Sequence, residues 1–205
     1  MLRIYLARHG QDMDNKNGIL NGRRNEPLSD KGIEQADEVA KKIKDTKIHF
    51  NHVYSSPLQR AYKTAEIITD TLGIDKPEIL QELVERDFGI MTGQPQNKIK
   101  EMCSPDIFQT DTICYFLNPG GAETFPQLIE RAKKLLVTLK AKHKDENILL
   151  VTHGDFGKMI YTAYYNLDWM NVLKMFHFGN SELLELSEES GPDETHVFKI
   201  QQHNL

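Results

Sequence analysis

The chain has 205 residues, 39% of them hydrophobic and 27% charged, with a net charge of −5. That length suits one domain with a sizeable core, and the acidic balance argues against nucleic acid or an anionic membrane as a whole-surface electrostatic partner. Two cysteines are too few for a disulfide framework, no apolar run approaches the ~18 residues of a membrane span, and Arg8-His9 interrupts the apolar N-terminal stretch, so a cytoplasmic protein without a leader is expected.

"LRIYLARHG" opens the chain as a buried strand that stops at Arg8-His9-Gly10. Residues 11–27 are polar and rich in Gly and Asn, too long for a tight turn, and read as a functional loop. Ser29 reads as an N-cap, followed by Ile33, Ala36, Val39, Ala40 and Ile43 at helical spacing. "HFNHVYSSP" reads as a short strand. The next helix begins at Pro57, buries Ala61, Ala65, Ile68 and Leu72, and stops at Gly73. "EILQELV" reads as a strand or extended segment. Residues 86–122 hold several Gly and Pro and read as an irregular lid or subdomain over one end of the sheet.

A helix is expected over 124–142, with Leu128, Ala132, Leu135, Leu136 and Leu139 inward. "NILLVTHG" is a second apolar strand that ends abruptly, before a helix over 155–165. "SELLELS" and "HVFKIQQ" read as two final strands around the hairpin loop "EESGPDE". This alternation predicts one α/β domain over residues 1–205. It would be a three-layer sandwich with a largely parallel central sheet and helices on both faces.

Two apolar strands therefore end in His-Gly. Ligands of open α/β sheets bind beyond the carboxyl ends of the strands. Neighbouring strands would set His9 and His153 across one crevice, where the glycines allow a sharp turn and let backbone N–H groups approach an anion. Arg8 and Arg60, the latter early in the second helix, fall on the same topological side and suit phosphate oxygens. A neutral imidazole between two arginines can attack phosphorus, and a carboxylic acid with a raised pKa can protonate the leaving alkoxide.

Arg8-His9-Gly10, Asn15, "NGRRNEPLSDKG", "SSPLQRAYKTA", "ERDFG" and "VTHGD" together resemble the histidine phosphatase superfamily, which includes phosphoglycerate mutases and small phosphatases. The resemblance runs from residue 3 to about 165. It implies that His9 is the phosphate-accepting nucleophile and that Arg8, Arg60 and His153 complete the phosphate pocket, with Asn15 donating from the loop. It further implies that Asn21 and Gly22 lie in the substrate loop and that Gly154 offers its backbone N–H. Glu85 would be the acid and then the base, its spacing to Phe88-Gly89 favouring it over Glu82. No metal and no cofactor are implied.

Other phosphatase signatures fit poorly. Cys-x5-Arg is absent, since Gln109 and Gly120 stand six residues after Cys103 and Cys114. "DMDN" imitates an Asp-x-Asp motif, but Asp12 and Asp14 read as loop residues away from a strand end. His49, His52, His143, His177, His196 and His203 show no shared ligand spacing and read as surface or packing residues.

Within the resemblance, a mutase would carry paired arginines after the acid motif. Here no arginine stands between Arg86 and Arg131, Phe88 replaces a tyrosine, and "MTG" replaces tryptophan-glutamate-glycine. Phosphomonoester hydrolysis is therefore favoured, with phosphoserine as the substrate. A cofactor-dependent phosphoglycerate mutase and a non-catalytic phospho-ligand binding module are the alternatives. Lys98, Lys100, Arg23 and Arg24 are candidates for a substrate carboxylate, each weighed against a solvated loop surface. Tyr54, Tyr161, Tyr164, Tyr165 and Trp169 lack the basic interleaving of a nucleic-acid platform. "YTAYYNLDWM" reads as helix packing or a homodimer contact.

Overall fold

A computed structural model describes residues 1–175 and 177–197. Five strands form the main sheet: β1 (Arg3–Arg8), β2 (His52–Ser55), β3 (Glu78–Ile79), β6 (Asn147–Thr152) and β7 (Leu183–Leu186). Their order is β3-β2-β6-β1-β7; only β7 runs antiparallel to its neighbour. The central strands are apolar on both sides, as burial between two helix layers requires. Tyr5, Ala7, Leu149 and Val151 face α2 (Asp30–Thr46) and α3 (Gln59–Leu72). Ile4, Leu6, Ile148 and Leu150 face α5 (Phe125–Lys142) and α6 (Gly154–Tyr165). The expected mostly parallel sheet between helix layers is thus present.

Local chemistry sets the element ends. Ser29 caps α2 through the Gly32 N–H, and Thr124 with Gln127 forms a capping box on α5. Gly73 ends α3 at φ 69°. Near the start of α2 the periodicity misleads: Ile33 is 39% exposed, and Gly32 is the residue that packs inward. A Cβ at Gly32 would lie 2.0 Å from the Gln11 carbonyl oxygen, and one at Gly10 would lie 2.2 Å from the Gly32 carbonyl oxygen. Two chain segments meet there with no room for a methyl group. Gly32→Ala, ordinarily stabilising in a helix by about 1 kcal/mol, should instead destabilise by about 1–3 kcal/mol. A lower thermal midpoint at unchanged ligand concentration is the expected readout, and a higher one would contradict this packing.

The segment "EILQELV" contributes only the two residues of β3 before a 3-10 turn, Gln81–Leu83, which buries Leu83. Residues 86–122 contain two further 3-10 turns, α4 (Ile99–Cys103) and an antiparallel ribbon of β4 (Ile107–Gln109) and β5 (Cys114–Phe116). They have a small core of their own, Phe88, Met91, Ile99, Cys103 and Phe116. Trp169, at the start of α7 (Trp169–Met175), stacks on Phe125 at 5.1 Å, so this part of "YTAYYNLDWM" is helix packing. Of "HVFKIQQ", only His196 and Val197 are described. His196 bridges to Leu184 and Val197 donates to the Leu183 carbonyl; the rest lies outside the described residues. Among the described residues no helix is long and apolar enough to cross a membrane.

Candidate active site

β1 and β6 are adjacent, with Arg8 opposite Thr152 in the register and the His9 N–H donating to the Thr152 carbonyl at 3.1 Å. The two His-Gly ends are therefore side by side, and the rings of His9 and His153 meet edge to face with centroids 5.0 Å apart. His9 Nδ1 lies 2.7 Å from the Gly10 carbonyl oxygen. That acceptor requires the proton on Nδ1 and leaves the lone pair on Nε2. Arg60 Nε approaches Nε2 at 3.2 Å. Burial, then Arg60 and Arg8, hold the His9 imidazole well below its ordinary pKa. His153 is held low by burial and Arg60, and its Nε2 meets Ser56 Oγ at 2.8 Å. Both rings are neutral at physiological pH.

Arg60 is fully buried. Its Nη2 donates to the Gly22 carbonyl at 2.8 Å, its Nη1 donates to the Arg24 carbonyl at 2.6 Å, and its Nε lies 3.1 Å from Asp12 Oδ2. Asn21 Nδ2 donates to the same Asp12 oxygen at 2.6 Å, and Asp12 Oδ1 accepts from the Asn15 N–H at 2.7 Å. Asp12 thus ties Arg60, Asn15 and Asn21 together. It is a loop residue, as the sequence suggested, but a fully buried one that organises the site. Arg8 Nη1 donates to the Phe178 carbonyl at 2.7 Å and lies 3.4 Å from His177 Nε2. Gly154, the first residue of α6, faces the Arg8 guanidinium, with ordinary space for a Cβ. The close approach belongs to Gly10 instead, and its N–H donates to Thr64 Oγ1 at 3.1 Å.

Glu85 is buried, whereas Glu82 is exposed. The Glu85 carboxyl sits at the N-terminus of α6. Oε1 accepts from the Arg86 and Phe156 N–H groups at 2.8 and 3.0 Å, and Oε2 accepts from Asp155 N–H at 3.3 Å. Burial, helped by the Asp155 carboxylate, raises its pKa against the pull of those N–H groups. Arg86, fully buried, pairs with Asp155 at 2.8 Å, and its guanidinium lies over the rings of Phe116 and Phe125 at 4.3 and 4.4 Å. Arg131 and Arg23 both donate to the Glu85 carbonyl, fixing the backbone that carries its side chain.

Arg8, Asn15, Asn21, Glu85 and Gly154 line a cavity of about 660 Å³, together with Ile113, Cys114, Tyr115 and Phe116. His9, Arg60 and His153 are buried beside these residues without forming its wall, and Gly22 contributes its carbonyl to Arg60.

The family model of the histidine phosphatase superfamily, branch 1, matches residues 4–200. The chain belongs to that superfamily. It is 36% identical over 164 residues to phosphoglycerate mutase-like protein 4 of Arabidopsis thaliana, covering 77% of this chain and 69% of that one. It is 32% identical over 164 residues to the metal-independent phosphoserine phosphatase of the same plant, covering 77% of this chain and 66% of that one. Among solved structures, a phosphoserine phosphatase from Entamoeba histolytica in complex with 3-phosphoglyceric acid superposes over 100% of both chains at a TM-score of 0.77 and 26% identity. The chain is an enzyme of the phosphatase class.

Four sequence candidates lie elsewhere in this histidine phosphatase. Arg23 is tied to Asp87 and Glu123, Arg24 to Asp14 and Glu26, and Lys98 to Glu101. None of these, nor Lys100, lines the cavity. Lys158, Tyr115, Asp155 and His177 do. Lys158 had a sequence signal: it is the lysine of an otherwise mostly apolar helix, GDFGKMIYTAYY. His177 had none. His52 and His143, read as surface or packing residues, meet Glu146 at the opposite end of the sheet, their donor atoms within 4.8 Å of one another. His203 lies outside the described residues.

Proposed function

We propose that this protein is a metal-independent phosphomonoesterase that works through a phosphohistidine on His9, with phosphoserine as its substrate. The observation that carries the reading is the His9 imidazole. It is neutral, fixed by Gly10 in the tautomer that leaves Nε2 unprotonated, and flanked by Arg60 and Arg8. In the proposed reaction Nε2 attacks phosphorus, the N–P bond forms and the P–O ester bond breaks. Arg8, Arg60, His153 and Asn15 hold the phosphoryl oxygens, and Gly154 opens α6 beside them. Asn21 and Gly22 belong to the substrate loop. Glu85, protonated, gives its proton to the departing alkoxide. As a carboxylate it then takes a proton from water, which attacks phosphorus, releases phosphate and returns the lone pair to His9.

Hydrolysis is favoured over mutase chemistry by the missing arginine pair between Arg86 and Arg131, and by the similarity to phosphoserine phosphatases. A non-catalytic module would not need a raised-pKa acid beside the pocket. The test is phosphate release in chelator from phosphoserine, 3-phosphoglycerate and a sugar phosphate. It is run beside 3-phosphoglycerate isomerisation with added 2,3-bisphosphoglycerate. Metal-independent release, fastest from phosphoserine, is expected. Stimulated isomerisation with little free phosphate would make the enzyme a mutase.

A further inference from the structure

We propose that Lys158 and Tyr115 form a carboxylate-binding subsite, so that this enzyme selects phosphomonoesters carrying a carboxylate close to the ester. The inference rests on the phosphatase reading above and adds the group that chooses the substrate.

Lys158 is 2% exposed yet lines the cavity. An ammonium has three donors. Among the described residues its hydrogen-bond partner is Tyr115 Oη, at 2.5 Å, with the Tyr115 ring centroid 4.9 Å away, and it forms no ion pair. The nearby acids are otherwise engaged: Asp155 pairs with Arg86, Glu85 accepts backbone N–H groups, and Glu182 pairs with His196 and accepts the Gly179 N–H. A buried cation without a direct ion-pair partner is costly, and an anionic ligand offsets that cost. Burial lowers the Lys158 ammonium to about 8, with Arg8 adding to the fall and Asp155, Glu85 and Glu182 opposing it. The group therefore remains mostly charged at neutral pH.

Its position selects the ligand. Gly154 and Lys158 stand four apart on α6 and share a face, and helical side chains lean toward the N-terminus, here toward Gly154 and Arg8. A phosphoryl group at Arg8 and an anion at Lys158 would be separated by about one helical turn, roughly 6 Å. A two- or three-carbon skeleton spans that. One ammonium N–H and one phenol O–H match the two oxygens of a monoanionic carboxylate. A second phosphate would call for a richer set of cations, such as the arginines and histidines around His9.

The experiment compares two pairs that differ in the carboxylate: L-phosphoserine with phosphoethanolamine, and 3-phosphoglycerate with glycerol 3-phosphate. The proteins are the wild type, Lys158→Met, Lys158→Arg and Tyr115→Phe. Wild type should prefer each carboxylated member by about tenfold or more. Lys158→Met should lower kcat/KM for those members by about 10- to 100-fold, mainly through KM. It should leave the other two within about threefold. Lys158→Arg should restore part of the preference, and Tyr115→Phe should lose a smaller part. An equal fall on both members of each pair, or no preference in the wild type, would overturn the subsite. Calorimetric binding of the same four ligands reads the preference independently of turnover. Failure of all four to release phosphate would therefore count against the phosphatase reading, not against the subsite.

Discussion

Replacing His9 with alanine should abolish turnover while leaving a folded protein. Phosphate release should fall by about 10⁴-fold or more, the scale on which loss of a nucleophile acts. The fold should persist because the ring's polar contacts are few. Its Nδ1 bonds to the adjacent Gly10 carbonyl, and Arg60 keeps Asp12 and two carbonyl acceptors without it. Wild-type enzyme quenched during turnover should carry an acid-labile, base-stable phosphate on His9, and the variant none. Retention of turnover within about tenfold would remove His9 from the mechanism. The pH dependence of stability has a defined sign. The folded pKa of His9 lies well below its unfolded value of about 6.5. The unfolded chain therefore binds more protons below that pH, and wild type loses stability as pH falls through 6.5. The alanine variant lacks this burden. Its stability relative to wild type should improve between neutral pH and pH 5 in chemical denaturation.

The parts of this architecture that depend on local chemistry were legible in the sequence. The strands β1 and β6 announced themselves as apolar runs, Ser29 and Thr124 as helix starts, and the twin His-Gly ends as neighbours at one end of the sheet. Adjacency of those strands follows from burial, since two-sided apolar strands belong in the sheet's interior. Ile33 failed because the tight packing of Gly10, Gln11 and Gly32 turns the first turn of α2, an effect of backbone approach that side-chain periodicity does not carry. Asp12 was underread for another reason, and Arg86 drew no reading at all. A charged residue in a polar loop reads as solvated unless its partner is known. Those partners, Arg60 and Asp155, lie 48 and 69 residues away. Lys158 stood out in composition but had no stated role until the fold set it beside Tyr115, on a ribbon 43 residues earlier. The site's ligand-facing chemistry is therefore sequence-local at His9 and tertiary at almost every group that orients it.

Replacing Glu85 with glutamine should separate the two halves of the proposed reaction. An alkyl phosphate such as phosphoserine needs its leaving oxygen protonated, so its kcat should fall by about 10²–10⁴-fold. p-Nitrophenyl phosphate leaves as a stable phenolate and needs no acid, so phosphorylation of His9 should remain fast. Attack by water still lacks its base. The variant should therefore give a burst of about one nitrophenolate per enzyme, followed by a slow steady rate, with phosphohistidine accumulating. An equal loss on both substrates without a burst would mean that Glu85 orders the α6 N-terminus instead of moving protons. The stability measurement has its own sign. The folded pKa of Glu85 is raised above its unfolded value of about 4.5. Wild type therefore loses stability as pH climbs from there through the folded value, where folding must give up or bury a charge. Glutamine carries no such cost, so the variant should gain on wild type as pH rises from 4.5. A stability gain paired with a lost proton transfer is what the proposed role implies for a buried acid at a helix N-terminus: the desolvation that would hold the proton for the leaving group is a burden to the folded state.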